Sequence, residues 1–151
     1  MPWDATELWL ADFAADGSLN PARKIVGDND ESITQPEWSP DGILYFVSDK
    51  TGWWNIYRYA QGQIQAVCPM QAEFAYPHWQ FCMTQFGFIS AAEMVCAYNQ
   101  NGTGQLGKIH LATGKLENIQ TDFTDIQYLR AAPDQVVFHA AAPSQAPAIT
   151  L

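Results

Sequence analysis

Basic residues are scarce in this chain of 151 residues, which has 7 Lys and Arg against 16 Asp and Glu and a formal net charge of -9. Such a charge repels phosphate backbones and anionic membrane surfaces, so we predict no nucleic acid partner and no membrane partner. No run of about eighteen apolar residues occurs, and residues 1–17 lack the basic and apolar regions of a signal peptide. We therefore expect a soluble, cytoplasmic protein.

Cysteine and metal-ligand motifs are equally sparse. Cys68, Cys82 and Cys96 lie far apart, and the chain has no C-x-x-C pair for zinc or redox chemistry. We expect buried free thiols and no disulfide. The three histidines lack the spacing of metal ligands, and the acidic segment 27–32 lacks the remaining oxygen ligands of a calcium loop. No metal site and no cofactor is therefore predicted.

Sustained helical periodicity is also missing. Apolar residues occur instead in short runs rich in Ile, Val, Tyr, Phe and Trp, and Gly, Pro, Asn and Asp separate these runs. This pattern predicts many short strands, which antiparallel hairpins join most economically. The clearest predicted strands are 43–49, 55–60, 63–67, 93–98, 107–112, 116–120 and 135–141.

The same local design recurs along the chain. A strand, a tight glycine turn and a second strand appear three times, and a Pro-x-Trp motif occurs at Pro36–Trp38 and again at Pro77–Trp79. Self-similarity at a period of ~40 to 50 residues, with four short strands per unit, is typical of a β-propeller. We therefore predict an all-β fold, a partial β-propeller of about three four-stranded antiparallel blades. The alternative is a β-sandwich with chance repeats.

The segment "QPEWSPDG" at 35–42 joins two of the predicted strands. Proline followed by Asp and Gly is what a tight turn requires sterically, so we interpret 40–42 as a turn and not as a site. Trp38 and its counterpart Trp79 are expected to pack between neighbouring blades. A weaker echo of the same turn occurs at 131–138.

Counting strands divides the chain into a partial blade at 1–30, full blades at 31–70 and 71–122, and a partial blade at 123–151. Propellers usually need about four to eight blades to close, so we expect a piece of a larger protein. Open blade faces and strand edges favour association, so we also expect self-association in which two copies complement each other's partial blades. A third strand in the last unit, at "PAITL", would duplicate one that the partner copy offers.

The stretch "SPDGILYFVSDKTGWWNIY" at 39–57 resembles the propeller repeat of TolB-type proteins, tricorn proteases and prolyl oligopeptidase-family serine peptidases. With "MPWDATELW", "CPMQAEFAYPHW" and "TDIQYLRA", the chain is most similar to the amino-terminal propeller of dipeptidyl or acylaminoacyl peptidase relatives. The resemblance covers nearly the whole chain. It implies a non-catalytic propeller domain that gates and helps to bind peptides for an α/β-hydrolase domain, which is the expected partner.

Catalytic residues are not predicted in this chain. The family's nucleophile lies in a G-x-S-x-G motif, and none of the serines here is flanked by glycines at that spacing. Without the motif and its oxyanion hole, nucleophilic catalysis has no machinery. We therefore expect the chain to be inactive as a peptidase, even though the resemblance makes the protein it derives from a peptidase.

Three residues are candidates for substrate binding. Trp53 and Trp54 are adjacent in an extended segment, so their side chains point to opposite faces and one of them can be exposed. Glu73 lies in a loop between strands, and the resemblance implies that such a propeller carboxylate holds the free amino terminus of a substrate.

Two other functions remain open. A TolB-type protein-interaction module with no associated enzyme would use the same repeats. A metal-dependent, lactonase-like propeller enzyme would need acids and histidines converging on the central channel.

Overall fold

The computed structural model describes residues 4–80 and 82–151, and within these ranges it contains thirteen β-strands and no helix. None of the described residues therefore forms a helix long and apolar enough to cross a membrane. The strands are β1 Leu8–Leu10, β2 Arg23–Val26, β3 Ile33–Trp38, β4 Leu44–Ser48, β5 Asn55–Ala60, β6 Gln63–Ala66, β7 Phe86–Phe88, β8 Glu93–Gln100, β9 Thr103–His110, β10 Lys115–Ile119, β11 Asp125–Ala132, β12 Gln135–Ala142 and β13 Gln145–Thr150.

Four antiparallel sheets follow one another along the chain. An amino-terminal hairpin, β1–β2, precedes a first blade of strands β3 to β6 and a second blade of strands β7 to β10. A terminal sheet of three strands, β11 to β13, completes the described structure. Each strand pairs with its neighbour in sequence, as hairpin connections require. The prediction of an all-β partial propeller is confirmed.

The core consists of layers between successive sheets. In β4, Tyr45 and Val47 face the second blade, whereas Phe46 packs with Tyr57 against the amino-terminal hairpin. The same alternation holds in β8, where Met94 faces the first blade. Central strands covered on both faces read as continuous apolar runs, which explains why every residue of β4 is buried.

Strand β9 begins earlier than predicted. Asn101 and Gly102 form a two-residue turn, so β8 and β9 pair without interruption from Gln100 with Thr103 to Glu93 with His110. The polar segment 103–106 therefore belongs to the strand, although its composition resembles a loop.

The terminal sheet has one strand too many for the expected self-association, in which the partial blades of two copies complete each other. Strand β13, at Gln145–Thr150, pairs with β12 and fills the third position of the sheet. Together with β1 and β2 of a second copy it would give five strands, whereas a blade has four. Two copies therefore do not complete a standard blade by adding these two units.

Two expectations about burial are wrong. Trp38 is 55% exposed and Trp79 is 68% exposed, so neither is a packed interblade residue. Trp38 ends β3, where the chain turns away from the core, and its ring lies at an open end of the strands. Among the thiols Cys96 is buried, whereas Cys82 is exposed. Burial raises the pKa of the Cys96 thiol.

Candidate functional site

The first strands of successive sheets, β3, β7 and β11, lie side by side. The buried Gln35 side chain joins β3 to the next sheet: its Nε2 donates to the Phe86 carbonyl at 2.8 Å, and its Oε1 accepts from the Gln85 amide at 2.7 Å. Each bond satisfies a backbone group that lacks a ladder partner on that side. The two inner strands are thereby fixed relative to each other.

A second set of contacts joins β7 to β11. The Leu129 amide donates to the Thr84 carbonyl at 2.9 Å, and the Thr84 hydroxyl donates to the Leu129 carbonyl at 2.8 Å. Further along, a Cβ on Gly87 would lie 2.9 Å from the Ala131 Cβ. Such a distance is too short for real side-chain carbons, so glycine is what allows the strands to approach this closely.

Bulges interrupt β3 and β11 at equivalent places. Gln35 and Tyr128 adopt left-handed φ angles of 46° and 53°, and regular pairing resumes at Glu37 and Arg130. A bulge re-aims the residues that follow it. The alignment that places Pro133 on Pro40 also places Arg130 on Glu37, so one position of the repeat carries opposite charges in two sheets.

A cavity of about 330 Å³ opens where these inner strands end. We call it the channel pocket, and its principal residues are Glu37, Trp38, Gly87, Phe88, Arg130 and Ala131. Its walls combine three aromatic residues, Trp38, Phe86 and Phe88, with one acid and one base. This composition is that of a ligand pocket, in which apolar walls surround a few polar groups that set orientation.

The predicted binding residues form a different cluster. The Trp54 amide donates to Glu73 Oε2 at 2.9 Å, and the Phe74 amide donates to the Trp54 carbonyl at 2.7 Å. The backbone of Glu73 also pairs with Asn99 of the second blade. Glu73 thus links a loop of the first blade to the second blade, and one of its carboxylate oxygens already has a backbone partner.

The side chains of the two tryptophans in that cluster point to opposite faces, as expected for adjacent residues of an extended segment. Trp54 packs against the core between the two blades, and Trp53 is 38% exposed. Because the 49–54 loop and the β3–β4 turn lie at opposite ends of β4, this cluster and the channel pocket lie at opposite ends of the strands. Binding of substrate by Trp53, Trp54 and Glu73 stays a prediction.

The histidines have protein partners. His78 shares a hydrogen bond with the Thr34 hydroxyl, and burial lowers the pKa of its imidazole. His110 lies between Glu93 at 3.1 Å and Glu117 at 3.5 Å. Within the described ranges, no three His, Cys, Asp or Glu side chains are grouped so that they could hold a metal ion.

Glu37 and Arg130 were not among the sequence-predicted site residues. The signal that could have found them is the weak echo between 131–138 and the turn at 39–42, extended toward the amino terminus by a few residues. The register there depends on the two bulges, which alternation of apolar residues does not reveal.

Comparisons with known proteins give a clear structural answer. No protein-family model matches the chain, and no curated protein matches it. Among solved structures, a puromycin hydrolase superimposes with a TM-score of 0.90 and 32% sequence identity, covering 99% of this chain and 23% of the hydrolase. A Mycobacterium tuberculosis puromycin-hydrolyzing peptidase gives a TM-score of 0.90, 29% identity and the same two coverages.

The second kind of neighbour is a TolB protein. TolB from Acinetobacter baumannii superimposes with a TM-score of 0.65 at 19% identity, over 93% of this chain and 34% of TolB. At that identity the likeness shows the fold alone. The stacked antiparallel sheets, the repeat signature and the superposition on puromycin hydrolase together show that the chain matches the amino-terminal β-propeller of a prolyl oligopeptidase-family peptidase.

Proposed function

We propose that the chain is the part of a peptidase propeller that gates and helps to bind peptide substrates, while an α/β-hydrolase domain outside this chain performs the hydrolysis. The observation that carries the proposal is the superposition of 99% of the chain on puromycin hydrolase at 32% identity. The chain spans only 23% of that enzyme's length, which leaves room for a separate catalytic domain.

Gating is supported by how closely the inner strands approach. The Gln35 bridge and the Thr84–Leu129 pair hold three inner strands in direct contact. We expect the central channel of a complete ring to be narrow beside strands packed this closely, so that it admits extended peptides and excludes folded proteins. Binding is supported by a solved puromycin hydrolase variant in complex with PGG.

A TolB-type interaction module is the rival. Its support is weaker, because the TolB superposition has a TM-score of 0.65 and 19% identity. The two functions differ in what accompanies the propeller. A peptidase needs a nucleophile motif in the same protein, and an interaction module does not.

The decisive experiment is to sequence the complete reading frame and to assay its product. We expect it to continue beyond residue 151 into a segment with G-x-S-x-G, and we expect the full protein to hydrolyse aminoacyl p-nitroanilides. The 151-residue chain should be inactive in the same assay. A reading frame with further propeller repeats and no G-x-S-x-G motif would instead establish the interaction module.

Gating has its own measurement in the full-length protein. Rates of hydrolysis should fall steeply as the substrate grows from a tripeptide to a folded domain, although a cleavable bond is present in each. An enzyme that cleaves a folded domain and a tripeptide with similar kcat/KM would contradict gating.

A further inference from the structure

We propose that the junction between β7 and β11 is a two-state joint, in which Gln85 exchanges between an extended state and a bulged state that clamps β11. The extended state is the one in the structure. The bulged state would reproduce at Gln85 the left-handed backbone and the cross-strand bonds of Gln35 in β3. The proposal goes beyond the proposed function, because it concerns the propeller strands alone and requires no hydrolase domain.

Sequence repetition relates Gln85 to Gln35. A Thr-Gln-x-x-aromatic motif occurs at 34–38, within β3, and again at 84–88, where it continues into β7. The motif aligns Gln85 with Gln35, and the matching bulges of β3 and β11 put Tyr128 at the same position of the third inner strand. The three inner strands can therefore be compared residue by residue at this position.

The backbone of Gln85 differs from that of both counterparts. Gln35 and Tyr128 adopt left-handed φ angles in their bulges, whereas Gln85 does not. The Gln85 carbonyl accepts from the Ala97 amide at 2.7 Å, which continues the regular pairing of β7 with β8. Strand β7 therefore lacks the bulge that its two neighbours have at the equivalent position.

The side chain of Gln85 is buried without hydrogen-bond partners. The residue is 3% exposed, and neither its Nε2 nor its Oε1 bonds any residue that the structure describes. In Gln35, by contrast, both amide atoms bond the next inner strand. Because a buried amide without partners is unfavourable, the extended state leaves Gln85 with a strong reason to find them.

The partners available to Gln85 follow from the Gln35 clamp, moved on by one sheet. Its Nε2 would donate to the Leu129 carbonyl, and its Oε1 would accept from the Tyr128 amide. In the extended state the Thr84 hydroxyl donates to that same carbonyl at 2.8 Å. A bulge adds one residue to the strand and so shifts the residue before it, which would move Thr84 away from Leu129.

The costs of the two states oppose each other. The extended state keeps the Thr84 bonds to Leu129 but leaves the Gln85 amide unpaired. The bulged state pairs that amide, but it places a residue other than glycine in the left-handed region and displaces Thr84. Neither state has every advantage, so we expect a minor population of the bulged state.

The same substitution at two equivalent positions tests the state of each amide. Gln35→Leu removes a permanent clamp and leaves two backbone groups of the next strand unpaired, so the midpoint of urea unfolding should fall clearly. Gln85→Leu removes an amide that is unpaired in the major state, so the midpoint should stay the same or rise. Circular dichroism shows that both variants of the 151-residue chain are folded.

Exchange itself is measured by nitrogen relaxation dispersion in NMR, which detects motion on the microsecond to millisecond timescale. The side-chain amide of Gln85 and the backbone amide of Leu129 should show dispersion, whereas the side-chain amide of Gln35 should not. Gln85→Leu should abolish the dispersion at Leu129. Thr84→Val removes the competing hydroxyl and should raise the population of the bulged state, and Thr84→Ser keeps the hydroxyl as the matched control.

Three results would overturn the proposal. The first is an absence of dispersion at Gln85 and Leu129 in the wild-type chain, as expected if a buried water holds the amide in one fixed position. The second is dispersion at Leu129 that persists in Gln85→Leu. The third is a loss of stability in Gln85→Leu as large as that in Gln35→Leu. None of these results bears on the nucleophile motif or on hydrolysis, so failure here is distinct from failure of the proposed function.

Discussion

Glu73 has a structural role in the fold, and its predicted role in substrate binding can be tested separately. Its Oε2 accepts the Trp54 amide at 2.9 Å, so Glu73→Ala leaves a partly buried donor unpaired. We expect this substitution to lower the free energy of unfolding by about 1 to 3 kcal/mol, as measured by urea denaturation. Glu73→Gln keeps an acceptor oxygen and should cost much less.

The isosteric variant also separates the two roles of Glu73. If the carboxylate holds a substrate ammonium, Glu73→Gln in the full-length protein raises KM for peptides with a free amino terminus and leaves acetylated peptides unaffected. A surface acid serves as the control: Glu117→Ala removes ion pairs with Lys115 and His110 that solvent screens, and it should change stability much less than Glu73→Ala does. Equal stability of Glu73→Ala and wild type would contradict the structural role.

His78 is expected to make stability depend on pH. Burial lowers the pKa of its imidazole below the unfolded value of about 6.5, so the unfolded chain binds the proton more readily. This contribution to stability is therefore present at neutral pH and is lost as the pH falls below about 6.5. His78→Gln should flatten the dependence of the unfolding free energy on pH between about 7 and 5.

A variant of the histidine's partner separates burial from hydrogen bonding. Thr34→Val removes the hydroxyl that bonds His78 but leaves the ring in the same apolar surroundings. Stability should fall at every pH, while its slope against pH stays close to that of wild type. Identical slopes for wild type and His78→Gln would show that the imidazole plays no part in acid destabilisation.

At the scale of elements, the approach of β7 to β11 sets the width of the channel pocket. In Gly87→Ala the added methyl would lie 2.9 Å from the Ala131 Cβ, so one strand must move. We expect a loss of about 1 to 3 kcal/mol in unfolding free energy. Ala131→Gly in the same chain removes the opposing methyl and should recover part of that loss, which a double-mutant cycle measures as coupling. Strictly additive costs would mean that the two strands do not limit each other.

The inner strands are also where prediction from sequence was weakest. The clearest predicted strands include middle strands such as β4, β5 and β8, whose apolar runs are nearly continuous because both faces are packed. In contrast, β3 contains Pro36 and a bulge, β7 has three residues with a central glycine, and β11 has a second bulge. These irregularities position Glu37 and Arg130, so the features that build the pocket are those that hide it from periodicity.

At the scale of the whole molecule, repetition made the fold predictable while contacts between sheets remained hidden. The Pro-x-Trp markers and glycine turns recur at blade spacing, and that was enough to identify a propeller. However, the exposure of Trp38 and the link from Glu73 to Trp54 depend on how a loop of one sheet docks on the next. Local sequence carries little information on such docking, because the partners are distant in the chain.

The terminal sheet presents an open apolar surface that bears on association. Tyr128, Val137, Phe138 and Ile149 line a cavity of about 350 Å³ on that sheet, and Ile149 is 80% exposed. In a longer protein a following blade would cover this surface. The 151-residue chain should instead cover it with a second copy, because exposed apolar patches favour association.

Ile149→Lys tests that expectation with Ile119→Lys as the matched control. Burying an isoleucine contributes about 1.5 to 3 kcal/mol, so Ile149→Lys should weaken the dimer by roughly ten- to a hundredfold in light scattering at micromolar concentration. Ile119 is 39% exposed on the edge strand of the second blade and does not line that cavity, so its replacement should leave association unchanged. Pro147 lacks a backbone N–H, so strand β13 is poorly suited to pair with a strand of the second copy. We therefore expect the two copies to associate through their apolar faces. Hydrogen-exchange protection of the β13 backbone should then not increase on association. A monomeric wild-type chain at these concentrations would contradict self-association altogether.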